Sequence, residues 1–119
     1  MKVAFISGPY RSDTPSGIVC NIRSAEKVAV ELWRMGYAVI CPHMNSALMD
    51  GLCPDETWLK GDLEMLRRCD LVVMIPRWRT SEGSKAEAQE AWLRKIPVYI
   101  WHDDKEMLRE FVCQGHSQA

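Results

Sequence analysis

Four short apolar runs divide this chain: KVAFIS (2–7), YAVIC (37–41), DLVVMI (70–75) and IPVYIW (96–101). Apolar at nearly every position and partly β-branched, they read as strands covered on both faces. Strands of that kind pair in parallel, and a parallel pair needs a crossover long enough to hold a helix. The intervening segments supply one each time. From about Ile18 to Met35, the residues Val19, Ile22, Ala25, Val28, Ala29, Leu32 and Trp33 recur at helical spacing, and Gly36 stops the helix. Pro54-Asp55-Glu56 opens a second helix, with acids near its positive end, that runs through Trp58, Leu59, Leu63 and Leu66 to Arg67-Arg68. Ser81 caps a third, in which Ala86, Ala88, Ala91 and Trp92 follow the pattern of a packed helix. A fourth covers about 103 to 113 and leads into a polar tail. The β-α-β-α-β-α-β-α order predicts an α/β fold: three layers, with a parallel sheet of four to five strands between helices.

A length of 119 residues fits one domain spanning 1–119, with a core large enough to stand without staples. The net charge of −1 removes any general electrostatic case for a nucleic-acid polymer or a membrane surface, so an anion site here has to be local. No apolar run approaches the roughly 18 residues of a membrane span. The opening MKVAFISGPYR is broken by Gly8-Pro9 too early for a signal peptide. The five cysteines are an odd number, without a CxxC pair; with no export signal, reduced thiols in the cytoplasm are expected. Cys41, His43 and Cys53 lack the close pairing and fourth partner of a zinc site, so no metal is expected.

In a parallel α/β sheet, ligands bind outside the carboxyl ends of the strands. That directs attention to loops 8–17, 42–54 and 76–84. The first holds Gly8, Tyr10, Arg11, Ser12 and Ser16, a permissive backbone with a forked cation and hydroxyls. It reads either as an anion cradle or as a solvated loop, and it matches neither GxGxxG nor a Walker loop. The third ends in Ser81, Gly83 and Ser84 at a helix start, where free amides and the helix dipole favour an anion, although a plain serine cap reads equally well. Asp62 lies mid-helix beside an apolar stripe, where Asp is a poor helix former, and Glu87 lies beside Ala88 and Ala91. Each is either a solvated edge residue or half of a carboxylate pair suited to cleaving a glycosidic bond. His43 is a proton donor or a local hydrogen bonder. Asp70, at the entry of a strand, has a structural role.

The segments FISGPYR, GYAVICP and DLEMLRRCDLVVMIPRWRTSEGSKAEAQEA, with Asn21 in the first helix, resemble the nucleoside 2-deoxyribosyltransferase-like superfamily. The similarity covers roughly residues 2 to 100 and is nearest to a branch of small bacterial and phage proteins related to deoxynucleoside 5′-monophosphate N-glycosidases. The pattern D-L-x-x-L-x-x-C-D followed by W-x-x-S-x-G-x-x-x-E-x-x-x-A is its most specific part. The resemblance implies a Rossmann-like sheet and an active site shared between copies in a homodimer or higher homo-oligomer. It implies Glu87 as nucleophile and Asp62 as the sugar-contacting residue that assists proton transfer. It also places a 5′-phosphate on Ser81 and Gly83, with Arg11 and Gly8 in the first loop. Phe5 stands where some hydrolases carry a tyrosine, so one active-site hydroxyl is missing there, and Tyr10 either substitutes for it or does not. The loop PRWRT is long, and Trp78 either stacks on a base or plugs the pocket.

The expected function is therefore an N-glycosidase acting on a (deoxy)nucleoside 5′-monophosphate without a cofactor. A carboxylate near the positive end of a helix is expected to stay ionised, which suits a nucleophile. A retaining route would need the two carboxyl groups about 5 Å apart. The rival readings are a transferase that exchanges bases and a non-catalytic nucleotide-sensing module.

Overall fold

The computed structural model describes residues 1–118, with side chains described through Val112. Strands β1 (Val3–Ser7), β2 (Ala38–Ile40), β3 (Leu71–Met74) and β4 (Val98–Ile100) form one four-stranded sheet in the order β2-β1-β3-β4, with every pair parallel. The helices are α1 (Pro15–Met35), a short α2 (Pro42–Asn45), α3 (Asp55–Leu66), α4 (Glu82–Leu93) and α5 (Trp101–Gln118), and a 3₁₀ turn spans Trp78–Thr80. Side chains alternate across the sheet as the pleat requires. Ala4, Ile6, Leu71 and Val73 pack with Ala25, Val28, Leu32 and Leu108 of α1 and α5. Phe5, Val72 and Met74 pack on the other face with Leu66 of α3 and Ala91 of α4. No helix among the described residues is long and apolar enough to cross a membrane.

Several boundaries differ from the sequence reading. Helix α1 begins at Pro15, because Thr14 caps it by accepting a hydrogen bond from Gly17 N at 3.0 Å and Pro15 suits the first helical position. Its buried row is Asn21, Ala25, Val28, Ala29 and Leu32, while Val19 and Trp33 are exposed. The fourth strand is shorter than IPVYIW: Trp101 already belongs to α5, and Asp104 reaches back to accept a hydrogen bond from Ile100 N at 2.7 Å. The stretch after β2 is not wholly irregular, since Pro42 starts α2. Trp92 is exposed, so the buried face of α4 is Ser84, Glu87 and Ala91.

After β2 the chain crosses β1 to lay down β3, so the strand order reverses between β1 and β3. The crevice at the carboxyl ends of these two strands is the topological switch point. Asp70 secures their opposite ends, accepting a hydrogen bond from Val3 N at 2.7 Å while its own amide donates to Val3 O at 2.9 Å.

Candidate active site

A cavity of about 730 Å³ opens at that switch point, within the size range of small-molecule sites. Gly8, Tyr10, Arg11 and His43 line one side of it, and Asp62, Ser81, Gly83 and Glu87 the other. Ser7, the last residue of β1, shares the strand face of Phe5 and is therefore turned toward α4. It donates a buried hydrogen bond to Glu87 Oε1 at 2.6 Å. Sequence reading missed Ser7, although a polar residue closing an apolar strand, on the face opposite Ile6, was the available signal.

Glu87 is only 6% exposed, in the middle of the buried face of α4 rather than on its edge. The expectation of an easily ionised carboxylate is overturned. Burial raises the Glu87 carboxyl to about 8; the Ser7 hydroxyl opposes this, and the nearby Asp62 adds to it. The dipole is too weak here to offset burial, because Glu87 lies past the first turn of α4, where the dipole field has fallen away. Asp62, half-buried, is raised to about 6 by burial. The other cavity carboxylates are held by neighbours. Asp55 pairs with Arg11 at 2.6 Å, Glu56 with Lys60 at 2.9 Å and Glu82 with Lys85 at 2.9 Å, while Asp50 accepts from Tyr10 Oη at 2.7 Å. Among the described residues, Asp62 has no hydrogen-bond or ionic partner, and Glu87 has Ser7. The pair therefore titrates near 6 and near 8 and carries one proton at neutral pH, an arrangement suited to acid–base work.

The start of α4 forms the other end of the site. Ser81 is a true N-cap, its Oγ accepting from Ser84 N at 3.2 Å. The amides of Glu82 and Gly83 have no carbonyl in their own helix. Ser84 Oγ is buried without any hydrogen-bond partner, a costly state for a hydroxyl. A Cβ at Gly83 would meet only Ser81 Oγ at 3.8 Å, so packing does not require glycine there. Gly8 is the opposite case: a Cβ on it would run into the Ile75 side chain. These features make the helix start a cradle able to take an anion.

The remaining candidates separate. His43 is buried, with Nε2 at 3.0 Å from Gly8 O and 3.1 Å from Pro9 O. Facing two carbonyls, Nε2 must carry the proton, and burial holds the imidazole below its ordinary range. His43 thus braces the first loop through its Nε2 while lining the cavity. Tyr10 and Arg11 line the cavity but face loop 42–54 and α3: Tyr10 Oη also accepts from Leu48 N at 3.1 Å, and Arg11 is tied to Asp55. Trp78 is absent from the lining. It packs against the Phe5–Leu66 cluster with the Arg79 guanidinium 5.2 Å above its ring. The lining tryptophan is Trp58, one helical turn before Asp62 on α3, so the i,i+4 spacing from Asp62 would have found it. Arg77 and Asn21 also belong to the lining and were not read as site residues. Among the described residues, no three His, Cys, Asp or Glu side chains converge as metal ligands would.

Residues 2–100 match the family model described as "Domain of unknown function (DUF4406)". No curated protein matches the chain. A solved 2-deoxyribosyltransferase from the psychrotolerant bacterium Bacillus psychrosaccharolyticus superposes with a TM-score of 0.63 at 17% identity, covering 82% of this chain and 70% of that one. The chain has a nucleoside 2-deoxyribosyltransferase-like fold.

Proposed function

We propose that this chain, which belongs to the DUF4406 family, is an N-glycosidase that cleaves the base–sugar bond of a nucleoside 5′-monophosphate, with a deoxy sugar preferred. The observation that carries the reading is one cavity holding both a carboxylate pair without cationic partners and an anion-ready helix start with an orphaned Ser84 Oγ. Glu87 attacks C1′ as the C1′–N bond breaks. In the form that reacts, the single proton of the pair sits on Asp62 and Glu87 is ionised; the bonding electrons leave with the base, which takes that proton from Asp62. Water then attacks C1′, gives a proton back to Asp62 and releases Glu87 as the sugar phosphate departs. Ser7 holds the Glu87 oxygen in place, and its hydroxyl favours the ionised form that attacks. Trp58 offers a flat surface to the base. The reading includes a cytoplasmic homo-oligomer.

A second reading, base exchange between deoxynucleosides, draws support from the fold shared with a 2-deoxyribosyltransferase. The deciding experiment follows free-base release from ribo- and deoxynucleoside 5′-monophosphates by chromatography, with Glu87→Gln in parallel. Release by wild type and loss in Glu87→Gln are expected. No release from any member by folded, nucleotide-binding protein would sink the hydrolase. A new nucleoside formed only when a second base is added would move the assignment to the transferase.

A further inference from the structure

Two arginines line the cavity, and they are held differently. Arg11 is ion-paired with Asp55 at 2.6 Å, and both side chains are largely exposed. Arg77 makes no ion pair among the described residues; its Nη2 donates to Asn21 Oδ1 at 2.8 Å, a neutral acceptor that leaves the positive charge uncompensated. Asn21 is buried, and its Nδ2 donates to Tyr10 O at 3.0 Å and Arg11 O at 3.2 Å. One amide thus fixes both the first loop and the Arg77 guanidinium.

Arg77 also has an unusual backbone. Its φ of 68 and ψ of 15 lie in the left-handed region, which is unfavourable for a residue with a Cβ. Glycine would remove that strain, and Arg77 is exposed, so burial in the core does not call for a long side chain there. The turn itself is tight: Arg77 O accepts from Thr80 N at 3.0 Å and from Thr80 Oγ1 at 2.7 Å. Arg77 thus opens a short turn that runs directly into the N-cap of α4, and it lines the same cavity as Ser84. A strained arginine at a cavity rim, with its charge uncompensated, points to a function for its side chain.

We infer that Arg77, positioned by Asn21, is the cation that reads the phosphate monoester of the ligand, while Arg11 serves to tie the first loop to α3. This rests on the proposed phosphorylated substrate and assigns its recognition to a different arginine from the one in the first loop. A guanidinium offers a forked pair of donors to phosphate oxygens, and the α4 amides with Ser84 Oγ complete the cradle.

The test measures dissociation constants by calorimetry for deoxynucleoside 5′-monophosphates, the matching deoxynucleosides and inorganic phosphate. The proteins are wild type, Arg77→Gly, Arg77→Lys and Arg11→Gln, each also melted without ligand. Arg77→Gly should weaken monophosphate binding by about ten- to a hundredfold. Deoxynucleoside binding should stay within about twofold, and the ligand-free Tm should change little, since the relief of glycine in the left-handed backbone offsets the lost bond to Asn21. Arg77→Lys should recover only part of the affinity, because it lacks the fork. Arg11→Gln should cost far less than Arg77→Gly. An Arg77→Gly protein that keeps its preference for monophosphate over nucleoside overturns the inference, as does a lowered Tm with that preference intact, which would make Arg77 a strut. Wild type without any such preference overturns the phosphorylated-substrate reading as well, so the two failures are told apart.

Discussion

The two walls of the cavity are built from similar residues and left in opposite states. On the first-loop wall nearly every polar group has a partner within the chain: Tyr10 with Asp50 and Leu48, Arg11 with Asp55, His43 with the Gly8 and Pro9 carbonyls. On the wall made by α3 and the start of α4, a few groups are left uncommitted. Ser84 Oγ has no partner, Gly83 has no packing reason to be glycine, and Asp62 and Glu87 sit near each other without a cation. A protein left with costly orphaned groups on one wall only is stabilised when a ligand meets them there. The first-loop wall is tied up within the chain, and the α3–α4 wall holds the groups left without partners.

The sharpest way to break this contrast is at the carboxylates. In wild type, kcat/KM for base release should be bell-shaped in pH, with limbs near 6 and 8, whichever carboxyl carries the shared proton. Asp62→Asn should lower kcat by about 10²- to 10⁴-fold and abolish the falling limb, since only ionisation of Glu87 then remains. A profile with the falling limb intact in Asp62→Asn would remove Asp62 from proton transfer.

Stability should move by a smaller amount and with a definite sign. The folded-state Glu87 carboxyl is raised to about 8 from an ordinary value of 4.5, so between those values the folded protein holds a proton that the unfolded chain has released. Stability contributed by the protonated carboxyl is therefore present at low pH and lost as pH rises through that window. Glu87→Gln should flatten this slope and raise stability at pH 8 by on the order of a few kcal/mol. Parallel denaturation curves for the two proteins across the window would refute it.

The two glycines sharpen the comparison further. Gly8→Ala should destabilise by about 1–3 kcal/mol through the clash with Ile75. Gly83→Ala should stabilise the ligand-free protein by about 0.5 kcal/mol through helix propensity, yet weaken nucleotide binding. Equal effects on stability in a urea melt would erase the distinction between a packing glycine and a ligand-facing one. Ser84→Ala should leave the ligand-free Tm unchanged or slightly raised, because the removed hydroxyl had no partner, while nucleotide affinity falls. A clear drop in Tm would mean that Ser84 supports the fold. The smallest effect is expected from Asp55→Asn, which removes an exposed ion pair and should shift stability by less than about 0.5 kcal/mol in chemical denaturation.

The alternation of apolar runs and helical segments was enough to determine the parallel α/β sheet and the loops that carry the site. Strands buried on both faces announce themselves in the residues alone. The helix start capped by Ser81 was equally legible, because a helix start needs particular residues at fixed offsets. What the sequence could not supply was burial and partnership, which depend on residues far apart in the chain. Ser7 meets Glu87 across 80 positions and Asn21 meets Arg77 across 56. Local spacing put Glu87 beside a helix dipole; only the packing of α4 on β1 and β3 showed that desolvation dominates its ionisation. In the same way Trp78 and Trp58 were equivalent as letters, and the turn of α3 decided which one faces the cavity. The sequence by itself fixed where chemistry is possible, because backbone periodicity is local. The tertiary structure decided which groups are left free to do it, because solvation and charge pairing are set by neighbours brought together only on folding.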